Sequence, residues 1–193
     1  GVRTIVLDQL ANTFIREAGC TPAFLGYKPY GAKKPYPNTI CVSVNETIVH
    51  GLPSEYVIQE GDLVKVDAGL IFGGFYVDAA FTVGAGSRDT AAHALIAATE
   101  DALRGAIEAA RLGNTMGDIG YAVERTVRAR GFSVAQSLTG HGIGKELHEE
   151  PSVFNVGKPG SGVPLSSGMV LAIEPMVTAG NGKVKQLADD SFV

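Results

Sequence analysis

The chain has 193 residues, 45% of them hydrophobic and 19% charged, with a formal charge of −4. That length suits one domain with its own core, and the composition excludes extensive disorder. The acidic balance gives no support to a nucleic-acid or membrane surface, and no apolar run approaches the ~20 residues of a spanning helix.

The first predicted helix covers 4–18, with apolar residues at 7, 10, 11, 14, 15 and 18 forming one stripe. Gly19 stops it. Arg3, Asp8, Arg16 and Glu17 make this start unlike a signal peptide. Residues 21–41, rich in Pro, Gly, Tyr and Lys, read as a long irregular loop. Residues 40–49 alternate and are β-branched, a strand signal interrupted at Asn45. Residues 63–83 hold two strands around Gly73-Gly74, a two-residue hairpin signal. Residues 90–111 form an Ala-rich helix capped by Asp89 or Thr90. A second amphipathic helix covers 116–130, capped by Thr115 and ended by Gly131. Short strands follow near 132–138 and 169–178, with loops at 157–168. Cys20 and Cys41 match no metal or redox spacing and read as reduced thiols of a cytoplasmic protein.

A weak repeat runs through the chain. Gly61 to Asp67 and Gly168 to Glu174 share a glycine, an apolar run and a carboxylate six positions on. Two halves of that kind make a pseudo-symmetric α+β domain.

Asp67 and Asp78 lie inside otherwise apolar strands, where a carboxylate needs a partner or a metal. If Gly73 and Gly74 form the turn, Asp67 faces Ala80 and Asp78 lies two places along on the same face. The two carboxylates are then diagonal neighbours, roughly 7–8 Å apart at Cα. A divalent cation would relieve their repulsion; the alternative is a pair on a solvated face. His50, His141 and His148 lie in Gly-flanked or polar segments, whereas His93 sits on the Ala-rich helix and reads as structural. Glu174 ends an apolar strand before Pro175. Asp67, Asp78, His141 and Glu174 form an O,O,N,O set suited to Mn, Fe, Co or Zn and unlike a thiolate zinc site. Carboxylate-rich two-metal sites activate water for hydrolysis.

The order and spacing of N-E-x-x-x-H-G-x-P (45–53), V-D-A-G (66–69), the Asp67/Asp78 pair, G-H-G-I-G-x-x-x-H-E-E-P (140–151) and I-E-P-M (173–176) resemble methionine aminopeptidase of type I, a pita-bread metallopeptidase. The resemblance covers the whole chain. It implies the pita-bread α+β fold as a single catalytic domain over 1–193, with pseudo-twofold halves around a curved antiparallel sheet. It also implies removal of the initiator methionine from nascent polypeptides by metal-activated water.

The resemblance assigns roles as follows. Two divalent ions would be held by Asp67, the bridging Asp78, His141 and Glu174. His148 would hydrogen-bond the scissile carbonyl or the oxyanion. His50 would contact the substrate nitrogen beyond the scissile bond, and Glu174 would shuttle a proton. Tyr36, Cys41, Leu147 and Phe192 would form the methionine pocket. The enzyme would be a cytoplasmic monomer acting on nascent peptides, with ribosome association and no membrane or nucleic acid.

Residues 28–33 look like an insertion near the pocket mouth. Relatives also carry a helix before the Gly1 region and a second bridging glutamate beyond Glu174, and this sequence has no counterpart for either. The alternatives are a pita-bread X-Pro peptidase, and an impaired module that binds peptide or ribosome without turnover.

Overall fold

The structure, a computed structural model, describes residues 1–28, 34–86 and 90–193. Most of the expected insertion at 28–33, and the expected cap Asp89, lie outside the described residues. The chain forms two compact units. The first contains residues 1–89, 145–147 and 185–193; the second contains 90–144 and 148–184.

In the first unit, helix α1 (Thr4–Glu17) is followed by strands β1 (Thr21–Pro22), β2 (Ile40–Val44), β3 (Leu63–Phe72) and β4 (Phe75–Gly84). All pair antiparallel: β3 is flanked by β1 and β2 on one edge and by β4 on the other. The β3–β4 turn is Gly73-Gly74, with φ of 58° and 80°. Two consecutive positive φ values define the turn type that matches strand twist, and glycine meets them without strain. The register is the one expected, with Asp67 opposite Ala80 and Gly69 opposite Asp78.

That register sorts the sheet into two chemically different faces, because alternate residues point to opposite sides. Ile40 and Val42 of β2 and Val64 of β3 are buried, and Val66 and Ala68 pack against them beneath Leu7 and Ala11 of α1. The other face carries Cys41 and Ser43 beside Asp67 and Lys65. The buried stripe of α1 is Thr4, Asp8 and Ile15, with Leu7 and Ala11 packing alongside. Leu10 and Phe14, expected in that stripe, are instead 46% and 64% exposed. Asp8 explains the rotation. Its carboxylate accepts hydrogen bonds from Thr39 N (2.7 Å), Ile40 N (3.0 Å) and Asn38 Nδ2 (3.2 Å), and this turns its side of the helix toward β2.

The second unit opens with α2 (Thr90–Ala109) and α3 (Met116–Ala129). Short strands follow: β5 (Ser133–Val134), β6 (Thr139–Gly142), β7 (Glu149–Phe154), β8 (Leu171–Ala172) and β9 (Val177–Thr178). Strand β6 lies between β7 and β8, and β5 pairs with β9, all antiparallel. Ala102 and Ala106 of α2 are fully buried against Met116, Ile119, Val123 and Val127 of α3 and Val153 of β7. Alanine at the seam lets the two helices approach closely while retaining helix propensity. At the start of α3, which begins after the expected cap Thr115, Asp118 accepts from both Thr115 N and Thr115 Oγ1 at 2.8 Å. Among the described residues, no helix is long and apolar enough to cross a membrane.

Candidate metal centre and substrate pocket

Within the first unit, Asp67 of β3 and Asp78 of β4 project from the sheet face opposite α1. Cys41 sits directly across from Asp67 on β2. Gly69, the glycine of V-D-A-G, leaves room on this face for Phe24: a Cβ there would come within 2.4 Å of the Phe24 ring. Phe24 is buried and thus forms an apolar boundary beside the position opposite Asp78.

Cys41 is 5% exposed. Burial, reinforced by the negative charge of Asp67, pushes its thiol up to about 12. It is therefore a neutral, apolar group at neutral pH. Burial, and then the neighbouring Cys41, likewise push the Tyr36 phenol up from its ordinary value. The Tyr36 hydroxyl lies 3.1 Å from the carbonyl oxygens of Ile40 and Gly51 and donates to them. The structure thus brings Tyr36 and Cys41 together. It brings His50 and Phe192 together as a separate pair, with ring centroids 5.6 Å apart and planes at 74°. Leu147 is 2% exposed and belongs to this same unit.

In the second unit, His141 of β6 stands against Glu174, which follows β8. Their Nε2 and Oε1 atoms are 3.2 Å apart. His141 Nδ1 is 2.8 Å from the carbonyl oxygen of Gly142. A carbonyl only accepts, so Nδ1 carries a hydrogen, and Nε2 is the ring atom turned toward the carboxylate. Glu174 Oε1 is buried and makes no hydrogen bond of acceptable geometry, although it lies at ion-pair distance from Nε2. A buried carboxylate oxygen left without a hydrogen bond, beside an imidazole nitrogen, is satisfied by a proton or a cation placed between the two. The donor chemistry therefore fits a divalent ion. The His148 ring lies beside that of His141, centroids 4.3 Å apart and planes tilted by 59°. Among the described residues, no group of three or more His, Cys, Asp or Glu side chains is gathered closely enough to hold a metal. The candidates stand as two part-sets, one in each unit.

Three residues escaped the sequence reading. Asn155, 2% exposed, donates from Nδ2 to the Glu174 carbonyl at 2.7 Å and anchors the backbone of that carboxylate. Nothing in its local sequence marks it. Positions 4, 8, 11 and 15 trace one helical face, but Asp8 is not apolar and so stood outside the stripe. Phe24 was signalled only through the glycine that makes room for it. Gly140 is also explained: a Cβ there would lie 2.1 Å from the Ala172 oxygen, so the H-flanking glycine lets β6 and β8 close up.

The model of metallopeptidase family M24 matches residues 1–193. A methionine aminopeptidase of Clostridium perfringens is 44% identical over 189 residues, covering 98% of this chain and 74% of that protein. The crystal structure of a methionine aminopeptidase from Thermotoga maritima superposes with a TM-score of 0.93 at 40% identity, covering 100% of this chain and 76% of that one. An Xaa-Pro dipeptidase from Bacillus anthracis superposes with a TM-score of 0.76 at 24% identity, covering 94% of this chain and 48% of that one. At that identity the likeness concerns the fold alone.

Proposed function

The chain belongs to the methionine aminopeptidases of metallopeptidase family M24, which have the pita-bread fold, and from that premise we propose that it removes the N-terminal initiator methionine from nascent polypeptides in the cytoplasm. The observation that carries this reading is the diagonal placement of Asp67 and Asp78 on the polar face of the β3–β4 hairpin, in a chain matched to that family along its length.

Asp67, Asp78, His141 and Glu174 are the residues that would hold two divalent ions. The donor set suits Co, Mn, Fe or Zn. Such ions, when bound, supply Lewis acidity for amide hydrolysis. The side chains do the rest. His50 contacts the backbone nitrogen of the residue after methionine and fixes the register of the peptide. His148 donates a hydrogen bond to the scissile carbonyl as negative charge develops on its oxygen. Glu174 takes a proton from the attacking water and passes it to the leaving amine. The neutral Cys41 thiol, Tyr36, Leu147 and Phe192 supply a soft, uncharged lining for a thioether side chain.

The test uses the full-length protein with Mn or Co and compares Met-Ala and Met-Gly peptides with X-Pro peptides. Turnover confined to the methionyl peptides is expected. Absence of turnover across all metals, with the protein folded, would sink the reading. Asp78→Asn should abolish metal-dependent activity and leave folding almost unchanged. An Asp78→Asn enzyme as active as the parent would remove the bridging role.

A further inference from the structure

We propose that Ser43 is a positioning residue for His50, a role that rests on His50 being the substrate-contacting residue of the preceding section. His50 has φ +60°, a left-handed conformation that a side chain with Cβ adopts at some strain. Something must hold it there, and the hydrogen bonds around it show what does.

A residue's φ and ψ are set by the orientations of the two peptide planes that flank it. The plane before His50 contains the Val49 carbonyl, which accepts from Phe192 N at 3.1 Å, while Ile48 N donates to Phe192 O at 2.7 Å. The plane after His50 contains Gly51 N, which donates to Ser43 Oγ at 3.0 Å. Beyond it, the Gly51 carbonyl accepts from Val42 N at 2.9 Å and from the Tyr36 hydroxyl at 3.1 Å. The packing is tight as well. A Cβ on Gly51 would lie 2.5 Å from Val42 O and 2.8 Å from the Ser43 Cα.

Each of the two flanking planes thus carries a hydrogen bond. The first is a backbone contact from Phe192, whose ring also stands edge-on to the imidazole. The second comes from a side chain, that of Ser43, which is 2% exposed. Ser43 lies on the same sheet face as Cys41 and Asp67. It reaches the strained bend from the strand that carries the pocket thiol, and so couples the aim of His50 to that strand.

Deleting the hydroxyl leaves Gly51 N without its acceptor and frees the 50–51 peptide to rotate, which swings the imidazole off the substrate nitrogen. Misplacement of a positioning group by a fraction of an ångström is enough to lower kcat/KM about tenfold.

The experiment compares Ser43→Ala, Ser43→Cys, Ser43→Thr, His50→Ala and the Ser43→Ala/His50→Ala pair in the full-length protein. It reads kcat/KM on a methionyl peptide, and it reads the His50 backbone ¹³Cα shift by NMR without substrate. Ser43→Ala should lower kcat/KM about tenfold and move the His50 shift out of its left-handed range. Ser43→Cys, similar in size but a weak acceptor, should do the same should the alanine variant fail to fold. Ser43→Thr, which keeps the hydroxyl, should retain both readouts. In the His50→Ala background, Ser43→Ala should have almost no further effect, because a group acting through His50 has nothing left to position. If the losses multiply instead, or the His50 shift is unchanged in both Ser43→Ala and Ser43→Cys, the positioning role is overturned while the reading of the site stands. If His50→Ala turns over normally, the substrate-contact role of His50 fails and this proposal fails with it.

Discussion

Asn155→Ala isolates the anchoring of Glu174, the carboxylate proposed as a metal ligand, from the carboxylate itself. The wild-type amide lies at the end of β7, 2% exposed, and donates to the Glu174 carbonyl at 2.7 Å. Removing it deletes one hydrogen bond, worth about 0.5–1.5 kcal/mol net, and leaves a half-buried carbonyl without that donor. With the small void from truncation, a loss of about 1–2 kcal/mol follows. For a chain of this size, each kcal/mol moves the melting temperature by about 2–4 °C, so the apo-protein should melt about 2–8 °C lower. If Glu174 is a metal ligand as proposed, metal affinity should also fall about tenfold, because a ligand whose backbone is loosened loses preorganisation. Asn155→Asp sharpens the test. It keeps the shape but places an acceptor against an acceptor, so it should be worse than alanine at neutral pH. As pH falls and the new acid protonates, its hydroxyl can donate and the difference should shrink. Differential scanning calorimetry gives the first quantity and isothermal titration with Mn or Co the second. An Asn155→Ala protein with parental melting temperature and parental metal affinity would refute the anchoring argument.

Asp62 accepts from Gln59 N, Asn45 Nδ2 and the Tyr56 hydroxyl, each at 2.8 Å, and these bonds hold its carboxyl below the usual value. A carboxyl depressed in the folded state stabilises above its unfolded pKa of 3.8, and that contribution disappears as pH falls below it. Asp62→Asn should therefore cost stability at pH 7, and that cost should shrink as pH falls from 3.8 through the lower folded value, read from urea midpoints; a loss that does not change with pH would contradict this. Cys41, buried and pushed up to about 12, should resist iodoacetamide at pH 8 while the more accessible Cys20 reacts. Equal labelling of both thiols by mass spectrometry would show that the sheet around Cys41 opens readily.

Local patterning carried much of the fold. The Gly73-Gly74 turn and the alternation around it are short-range facts, and they determine the β3–β4 register without reference to the rest of the chain. The three helices were read within two residues of their ends because 3.6-residue periodicity and a capping threonine are also local. Strand β7 was missed, since E-E-P-S-V-F neither alternates nor avoids proline. Strand β1, two residues beside the far end of β3, lies in what reads as loop, and only its distant partner defines it. The exposure of Leu10 and Phe14 was missed for a similar reason. The face of α1 is chosen by a carboxylate bridging to residues some thirty positions away, which apolar spacing cannot register. At the site, the candidate ligands were legible because carboxylates and histidines are conspicuous in apolar or glycine-rich company. Their supports, Ser43 and Asn155, are ordinary residues made important by where other segments arrive.

The two-faced hairpin has a consequence for how this sequence can change over generations. Residues at the turn can be exchanged for others that tolerate a left-handed backbone, and the strands will still meet in step. Losing or gaining a single residue there is a different event. Side chains alternate with a period of two, so a one-residue slip would present Asp78 and its strand-mates to the side covered by α1 and bring Val77 or Ala79 round beside Asp67. The length of this turn should therefore be inherited far more strictly than its letters.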